Sequence, residues 1–384
     1  MKKGFVFFTL ILAFALFCSS VFAQEGHEDQ KRLALDYLQS AVSAKCPVRT
    51  FETDDPLISV SSYTYESAVA ALALMSEGDH ESASGILDAF VTGMEADAEF
   101  KDRFRNAYAA GNAKDLPGYW NNGLEQWIQD AYQIGAGTKS NAAAAAALLT
   151  AYQVEPNEAY LNTAMKAVDW VIGYCQNEEP GFTSGYNGWR QVENNYTDLT
   201  AKAVVDNIWM YRACQLLADI TGWEKYSAAA SSAYDFVTEK MYSAGDSRFF
   251  QGTAADGVTP SANLVLTDVQ ALAALAFGND AGMDNIERNL ASDGGYSYDN
   301  SATDGSWTEG TAIAALALKQ TGETEKAEKA LSAMDGFQLS SGVFPQASVS
   351  ELKTGESNRT ISGWPTVGAT AWYILAVNGT NPFQ

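Results

Sequence analysis

The sequence is poor in histidine and cysteine, and these shortages exclude several kinds of catalytic site. His27 and His80 are its two histidines, and both lie in polar stretches, so a histidine metal centre or a Ser-His-Asp triad has almost no material. Besides Cys18, which follows the N-terminal apolar run, the cysteines are Cys46, Cys175 and Cys214, which are too few and too scattered for a disulfide framework or a zinc site. We therefore expect no metal, no cofactor and at most one disulfide.

Basic residues are also scarce. The chain has 24 Lys and Arg against 47 Asp and Glu, which gives a formal net charge of -23. A surface of this sign repels phosphate backbones and anionic membranes, so nucleic acid is not an expected partner. Acidic sugars are disfavoured as well, since Arg190, Lys202 and Arg359 are the main basic residues near the predicted loops. The charge favours a neutral or weakly charged ligand.

The first 23 residues are typical of a removable signal peptide. Lys2 and Lys3 precede an apolar run over residues 5–17, and a small-residue cleavage site ends at Ala23. We expect a secreted or periplasmic protein with one domain over residues 24–384 and no membrane insertion after cleavage. A lipid anchor at Cys18 is the alternative, although a bulky residue precedes it.

An apolar helical segment followed by an amphipathic one recurs along the chain. Residues 311–318 (TAIAALAL) carry no charge on any face, whereas residues 323–334 have one apolar stripe. The same succession occurs at 65–78 and 79–91, 140–152 and 157–175, 203–222 and 223–241, and 267–278 and 280–291. A sixth apolar segment, 366–379, has no successor, so we pair it with the first helix, near residues 28–44.

Twelve helices in six such pairs predict an all-α fold, the (α/α)6 barrel. An apolar helix fits an inner ring, and a striped helix with one wet face fits an outer ring. Four glycines, Gly78, Gly222, Gly278 and Gly322, fall between an inner segment and its outer partner, as C-terminal caps do. These short turns should mark one rim, and the long connections the other. The sequence leaves the oligomeric state open.

Several inner segments begin with a carboxylate at the long-loop rim. Glu66, Asp268 and Glu309 lie in predicted first turns, whereas Asp206 is expected about two turns inside the third inner helix, with Asp198 at its entrance. A structural interpretation exists: first-turn acids cap helix amides, and Lys202 could pair with Asp206. The functional interpretation takes the four acids other than Asp198 as catalytic candidates, because glycoside hydrolysis needs one carboxylic acid and one carboxylate.

Aromatic residues cluster near the same entrances. Aromatic faces pack on the C–H face of a sugar ring, and polar groups take its hydroxyls. Each ring taken singly is more often part of the core than a sugar platform. The substrate-binding candidates are Trp307, Tyr63, Trp209, Trp364, Trp189 and Asn141.

With its motifs YTYESAVAALAL, WTEGTAIAALAL and GATAWYILAVNGTNPF, the chain resembles the six-hairpin glycosidase-like superfamily over residues 27–384. The resemblance implies a secreted protein that processes polysaccharides, often with inversion, through carboxylates on the loop rim. Comparable members have Glu-His-Asn-Ile-Asp at the third inner helix, where this chain has Val205-Asp206-Asn207-Ile208-Trp209. The first acid of that run is therefore Val205 here, and the last is Trp209.

Two functions follow from these observations. The first is a glycoside hydrolase-like enzyme that acts on a largely neutral poly- or oligosaccharide, with inversion favoured over retention. The second is a non-catalytic glycan-binding or polysaccharide-assembly protein on the same barrel, which the residues at positions 205 and 209 favour. Polysaccharide lyases fit less well because histidine and basic residues are sparse. Terpenoid cyclases fit less well because their aspartate-rich runs are missing from the sequence.

Overall fold

A computed structural model describes residues 26–44, 46–190, 195–356 and 359–384. The predicted signal peptide and Cys18 lie outside the described residues. Within them, twelve helices of seven residues or more follow in chain order: α1 (Glu28–Ala44), α2 (Thr64–Ser76), α3 (His80–Ala96), α4 (Thr138–Val154), α5 (Glu158–Cys175), α6 (Val204–Thr221), α7 (Glu224–Asp235), α8 (Thr267–Phe277), α9 (Met283–Asn289), α10 (Thr308–Gln320), α11 (Thr324–Phe337) and α12 (Val367–Asn378). Shorter helical turns are Ala131–Ile134, Phe236–Lys240 and Asp280–Gly282.

The even-numbered helices form the inner ring. Each packs against the next even-numbered helix, and α12 packs against α2, which closes the circle. Their apolar, alanine-rich sequences suit this position: α4 buries six consecutive alanines, residues 142–147, and α10 is buried on all faces over residues 308–318. Small side chains let six helices approach one another around one axis. The predicted (α/α)6 barrel is confirmed.

The odd-numbered helices form the outer ring, and each packs on the inner helix of its pair. In α11 the buried residues are Ala327, Ala330, Leu331 and Met334, the spacing of a single apolar stripe. As the pairing predicts, α1 packs on α12. The ring is therefore closed by the first and last described helices of the chain.

Glycines end the inner helices at the rim away from the long loops. Gly222 and Gly278 are left-handed C-caps with φ of 69° and 65°, and Gly78 and Gly322 have φ of 75° and 87° one residue further on. The inner helices start at the opposite rim, so the predicted separation of these turns from the first-turn acids is confirmed.

Within the described residues, the connections at the other rim contain fifteen short strands, where the sequence predicted helices alone. They are β1 (Ser61–Tyr63), β2 (Ala107–Ala109), β3 (Tyr119–Asn121), β4 (Gln126–Ile128), β5 (Ala136–Gly137), β6 (Gly185–Gly188), β7 (Tyr196–Leu199), β8 (Tyr242–Ser243), β9 (Arg248–Phe249), β10 (Ala291–Ser292), β11 (Gly295–Tyr296), β12 (Phe344–Pro345), β13 (Glu351–Lys353), β14 (Thr360–Ser362) and β15 (Pro365–Thr366). All pair antiparallel, and the largest sheet, β5-β6-β7, has three strands. Backbone N–H and C=O groups in long loops packed on a barrel need hydrogen-bond partners, and pairing into short strands provides them.

One hydrogen-bond pattern repeats around this rim. The amide of the first residue of each inner helix donates to a carbonyl in the connection that leads to the next one. The six pairs are Thr64 to Asn106, Thr138 to Ser184, Val204 to Gln251, Thr267 to Tyr298, Thr308 to Gln346 and Val367 to Thr50. Each connection thus uses an unpaired helix-end amide and is held between two inner helices.

The fourth residue of each inner helix supplies the second half of this pattern. In α4 the Asn141 amide pairs with both backbone groups of Phe104, and in α6 Asn207 does the same with Phe182. Gln270 with Phe249, Thr311 with Tyr296 and Thr370 with Phe344 continue the pattern. In α2 the fourth residue departs from it, because the Ser67 hydroxyl bonds to the Ser62 hydroxyl. In the other five connections, an inner helix binds the backbone of an aromatic residue. The residue two positions further along the chain then accepts, through its carbonyl, the first amide of the preceding inner helix.

His27 joins the two ends of the ring. Its ring nitrogens lie 2.7 Å from Asp335 Oδ2 and 3.0 Å from Glu328 Oε2, both on α11, and Tyr373 of α12 donates to Asp335 as well. The hydrogen bond with Asp335 raises the pKa of His27 against the opposing effect of burial. The charged imidazolium therefore stabilises the closed ring.

We expect His27→Gln to remove a pH-dependent part of the stability. Because the folded pKa is raised, the contribution is complete below the unfolded value near 6.5 and is lost as pH rises through the folded value. The variant should be less stable than wild type by about 1–2 kcal/mol at pH 6, and the difference should shrink towards pH 9. Urea unfolding across this range measures it. Exposed His80→Gln is the control, and a pH-independent loss in His27→Gln would contradict the ion-pair account.

None of the helices in the described residues combines the length and apolarity that a membrane crossing requires.

Candidate active site

The second and third residues of the inner helices line a cavity of about 360 Å³ at the long-loop rim. In ring order these residues include Glu66 of α2, Lys139 of α4, Asp206 of α6, Asp268 of α8 and Glu309 of α10. The four acids predicted from the sequence are therefore brought together, although they are separated by up to 243 positions in the chain. The fold concentrates them because every inner helix begins at the same rim.

The sixth inner helix, α12, contributes Gly368 where the others carry side chains. A Cβ atom placed on Gly368 would lie 3.1 Å from Glu66 Cγ and 3.3 Å from Glu309 Oε2. Glu66 and Glu309 thus approach each other across the space that this glycine leaves.

Glu309 has the environment of a carboxylic acid that keeps its proton at neutral pH. Burial and the neighbouring negative charge of Glu66 raise its pKa to about 7. Its Oε1 accepts a hydrogen bond from Tyr65 Oη at 3.0 Å, and Tyr65 Oη accepts one from Trp372 Nε1 at 3.1 Å. Since Oε1 is used as an acceptor, the proton belongs on Oε2, the oxygen beside Gly368. The helix-capping interpretation does not apply, because no side chain caps α10.

Burial also raises the pKa of Glu66, Asp206 and Asp268. For Asp268 this effect is opposed by the positive charges of Lys139 and Arg359 and by the Val269 amide, which donates to Asp268 Oδ1 at 2.8 Å. The first-turn interpretation is therefore partly right for Asp268, although its carboxylate also lines the cavity. Two cations thus favour the ionised form of Asp268, and the charge of Glu356 opposes them.

Lys139 is a site residue that the sequence analysis missed. Its ammonium lies 4.0 Å from the centroid of the Tyr65 ring, and its charge lowers the pKa of all four cavity carboxyls against the effect of burial. A signal existed: Lys139 is the second residue of α4, as Asp268 and Glu309 are of α8 and α10. Aligning the six helix starts would have found it.

The structural ion pair between Lys202 and Asp206 does not form. The Lys202 ammonium donates instead to Asn177 Oδ1 at 2.8 Å and to the carbonyls of Glu179 and Pro180. Asp206 is paired with Ser184 and is influenced by Lys139. The reason is directional: the Lys202 side chain extends toward the 177–180 loop. The carboxylate of Asp206 thus lines the cavity without an ion pair to Lys202.

A second compartment of about 620 Å³ adjoins the first and shares Glu66, Lys139 and Asp206 with it. Its walls include Tyr63 and Trp364, two of the predicted aromatic residues, together with Phe51 and Tyr132. Trp307, a third predicted ring, lines the acidic cavity and packs against Tyr298 with ring centroids 5.0 Å apart. The cleft therefore has a carboxylate-rich part and an aromatic part.

Three of the predicted binding residues lie elsewhere. Trp209 is 0% exposed and packs among Tyr65, Trp372 and Phe383, because its position one turn below the rim points into the barrel core. Asn141 is fully buried as the loop anchor of α4. Trp189 lines a separate groove. The structure corrects the expectation for Trp209 and Asn141, and it places Trp189 outside the acidic and aromatic compartments.

Other site residues come from the loop segments that the rim pattern holds. Ser184, Gln251, Tyr298 and Gln346 line the acidic cavity, and Asn106 lines the aromatic compartment. Each lies two positions after an aromatic residue held by an inner helix, so the sequence signal is an aromatic residue, any residue, then a polar one. Such triplets are too common in a sequence to single out without the structure.

We expect Gly368→Ala to damage the site without damaging the fold. The added methyl group would press on Glu66 Cγ at 3.1 Å and Glu309 Oε2 at 3.3 Å, so one carboxylate must shift. Turnover should fall by about 10-fold or more, since small misplacements of reacting groups are costly. Gly173→Ala, in α5 with nothing within 4 Å, is the control and should leave turnover unchanged. Equal turnover in both variants would contradict the proposed geometry.

The site and barrel together define a recognisable architecture. No protein-family model matches the sequence, and no curated protein is detectably similar to it. Among solved structures, a variant of a glycosidase is similar at 11% identity with a TM-score of 0.64 over 94% of this chain and 99% of its own. An alpha-amylase from Clostridium perfringens is similar at 11% identity with a TM-score of 0.61, over 91% and 98% of the two chains.

A third similar structure is an alpha-mannanase from Bacteroides thetaiotaomicron, with 13% identity and a TM-score of 0.58 over 92% of this chain and 97% of its own. At these identities the likeness concerns the fold. The chain has the six-hairpin glycosidase-like fold of these proteins.

Proposed function

We propose that the protein is a glycoside hydrolase that acts on a largely neutral poly- or oligosaccharide. The observation that carries this proposal is Glu309: a cavity carboxyl with its pKa raised to about 7, opposite further carboxylates in a cleft with aromatic walls. Glycosidic hydrolysis requires one protonated and one ionised carboxyl. The glycosidase, amylase and mannanase with this fold agree with that chemistry.

In the proposed mechanism Glu309 is the general acid and Asp268 the general base. Glu309 Oε2 gives its proton to the glycosidic oxygen as the bond from that oxygen to the anomeric carbon breaks. Asp268 takes a proton from a water molecule, whose oxygen bonds to the anomeric carbon from the opposite face. The products are the free alcohol and a sugar of inverted configuration, and proton exchange with solvent restores both carboxyls.

The other residues of the cavity would support these two roles. Lys139 limits the repulsion among four acids and favours the ionised form of Asp268. Tyr65 holds Oε1 of Glu309, so that its other oxygen faces the substrate. Glu66 and Asp206 would accept hydrogen bonds from sugar hydroxyls. Glu66 also keeps the pKa of Glu309 high through its charge.

A neutral glycan suits the charges at the cleft. Four carboxyls would repel a polyanion, and the nearby cation Arg359 already donates to Glu356 at 2.7 Å and to Tyr298 Oη at 3.0 Å. The aromatic compartment with Tyr63, Tyr132 and Trp364 would take further sugar units by stacking. We also propose that the protein is secreted or periplasmic, from its N-terminal sequence.

A non-catalytic glycan-binding or polysaccharide-assembly protein is the second candidate. The observation in its favour is Val205, which lines the cavity at the second position of α6 where Glu309 and Asp268 stand in their helices. An acid at that position would be a further candidate base. The two functions differ in turnover and agree in binding.

Reducing-sugar release separates the two candidates. We would incubate the protein with starch, yeast mannan, xylan, mixed-linkage β-glucan and, as polyanions, pectate and alginate. The proposal expects release from at least one neutral glycan and none from the polyanions. Binding without release from any glycan would support the second candidate. Proton NMR of the first product formed would show whether the anomeric configuration is inverted.

A further inference from the structure

A two-stranded hairpin on the long-loop rim carries an exposed aromatic surface. Strands β3 and β4 pair so that Trp120 lies directly opposite Trp127, which places both side chains on one face. They are 54% and 53% exposed, and Leu124 at the turn is 62% exposed. Large rings exposed to this degree on neighbouring positions are unusual unless they contact a ligand.

The surface around them has the chemistry of a neutral carbohydrate site. Within residues 119–128 (YWNNGLEQWI), Glu125 is the one charged residue, whereas the whole chain carries a net charge of -23. The other polar side chains there are the Tyr119 hydroxyl and the amides of Asn121, Asn122 and Gln126. Aromatic faces with amides take the C–H faces and the hydroxyls of sugars. The charged residues that line the adjoining groove are two acids and two bases, so a charged partner meets little net attraction.

A groove of about 560 Å³ continues from this face. Trp127 forms part of its wall together with Gln129 and Trp189. The Trp189 indole donates to Gln129 Oε1 at 3.3 Å, and the Arg105 guanidinium lies 4.8 Å from the Trp189 ring centroid. Arg105 is itself held by Asp97 at 2.7 Å, so the ring rests on a fixed base. Trp189 does not line the acidic cavity and lines this groove instead.

The hairpin belongs to the same rim segment as the cleft. The connection from α3 to α4 supplies Asn106 and Tyr132 to the aromatic compartment, and the hairpin lies between these two residues in the chain. Tyr132 is also in contact with Tyr63, with ring centroids 6.4 Å apart. One connection therefore carries both a wall of the cleft and the exposed rings.

We propose that Trp120, Trp127 and Trp189 form a second, non-catalytic binding surface for a neutral polysaccharide chain, beside the acidic cavity. It rests on the proposed function only for the class of ligand. A surface of this kind retains a long chain while its end or a branch is in the cleft, and a short oligosaccharide cannot reach both. Its contribution therefore depends on the length of the glycan.

The test compares long and short glycans. Affinity electrophoresis through gels of starch, yeast mannan or β-glucan, with a Glu309→Gln background to prevent turnover, measures retention on long chains. The double variant Trp120→Ala with Trp127→Ala should lose about 10-fold or more in affinity. In the Glu309 form its turnover of soluble oligosaccharides of three or four units should be unchanged. Trp223→Ala, 49% exposed beside the Gly222 turn of the opposite rim, is the matched control.

Unchanged retention in the double variant, or an equal loss in Trp223→Ala, would overturn the proposal. Light scattering provides a further decisive outcome: a wild-type dimer that the double variant converts to a monomer would assign the rings to contact between copies of this chain. If retention depends on Trp120 and Trp127 but the wild type hydrolyses no glycan, the binding surface is supported and the proposed hydrolase activity is rejected.

Discussion

Glu309→Gln should lower kcat by roughly 10³-fold on the glycan that the wild type hydrolyses, because the amide cannot give a proton to the leaving oxygen. The change is nearly isosteric, and the amide oxygen can still accept from Tyr65, so substrate binding should persist with little change in KM. A steady-state comparison of the two proteins measures the effect. A glycan with a good leaving group, such as a nitrophenyl glycoside, should show a much smaller loss because it needs less protonation.

For the stability of the Glu309→Gln protein we expect no loss, in contrast to its loss of turnover. Glu309 has a pKa of 4.5 in the unfolded chain and of about 7 in the folded protein. The free energy of unfolding of the wild type therefore falls as pH rises between these two values. Glu309→Gln removes this decrease, so at pH 8 its melting temperature should equal or exceed that of the wild type. The wild-type kcat should likewise fall as pH rises above about 7. Lower stability with unchanged kcat would show that Glu309 is structural.

Asp268→Ala should lower kcat by about 10²–10⁴-fold by removing the base that activates water. In an inverting enzyme, added azide can occupy the vacated space and attack the anomeric carbon without a base. It should therefore restore turnover and give a glycosyl azide of inverted configuration, identified by NMR.

Asp206→Ala is the matched control for the base, because Asp206 also lines the cavity but is paired with Ser184. It should lose turnover chiefly through KM, and azide should not restore it. If azide restored turnover to Asp206→Ala and not to Asp268→Ala, the base would be Asp206 of α6. A glycosyl azide of retained configuration would point to a covalent intermediate and to the close pair of Glu66 and Glu309.

The ring architecture was predictable because it depends on residue patterns that local sequence carries. The uncharged segment 311–318 needed a surround on all sides, and the stripe of α11 needed a single wet face. First-turn acids such as Glu309 were predictable too, once every inner helix was placed with its start at one rim.

Whether a residue can bind substrate depends on the direction in which its side chain points from the helix, and a linear sequence pattern does not give that direction. Trp209 and Asn141 follow the cavity-lining residues of their helices by only two or three positions, and that small rotation turns them into the core or toward a loop. Lys139 was missed for the opposite reason. It is an ordinary basic residue in sequence, and its importance arises only from the four acids that other helices place around it.

The closed ring of inner helices has a consequence for synthesis of the protein. The first amide of α12 donates to the carbonyl of Thr50, and Gly368 of the same helix separates Glu66 from Glu309. Whether the chain emerges from a ribosome or from an export channel, its N-terminal part appears first. Early helix pairs can therefore associate before the last inner helix is available, but the circle cannot exist until that helix joins. Such sequence-distant contacts form slowly, and the cavity is completed only when they do. Catalytic competence should therefore arise in a single late step, well after most of the helical content has formed.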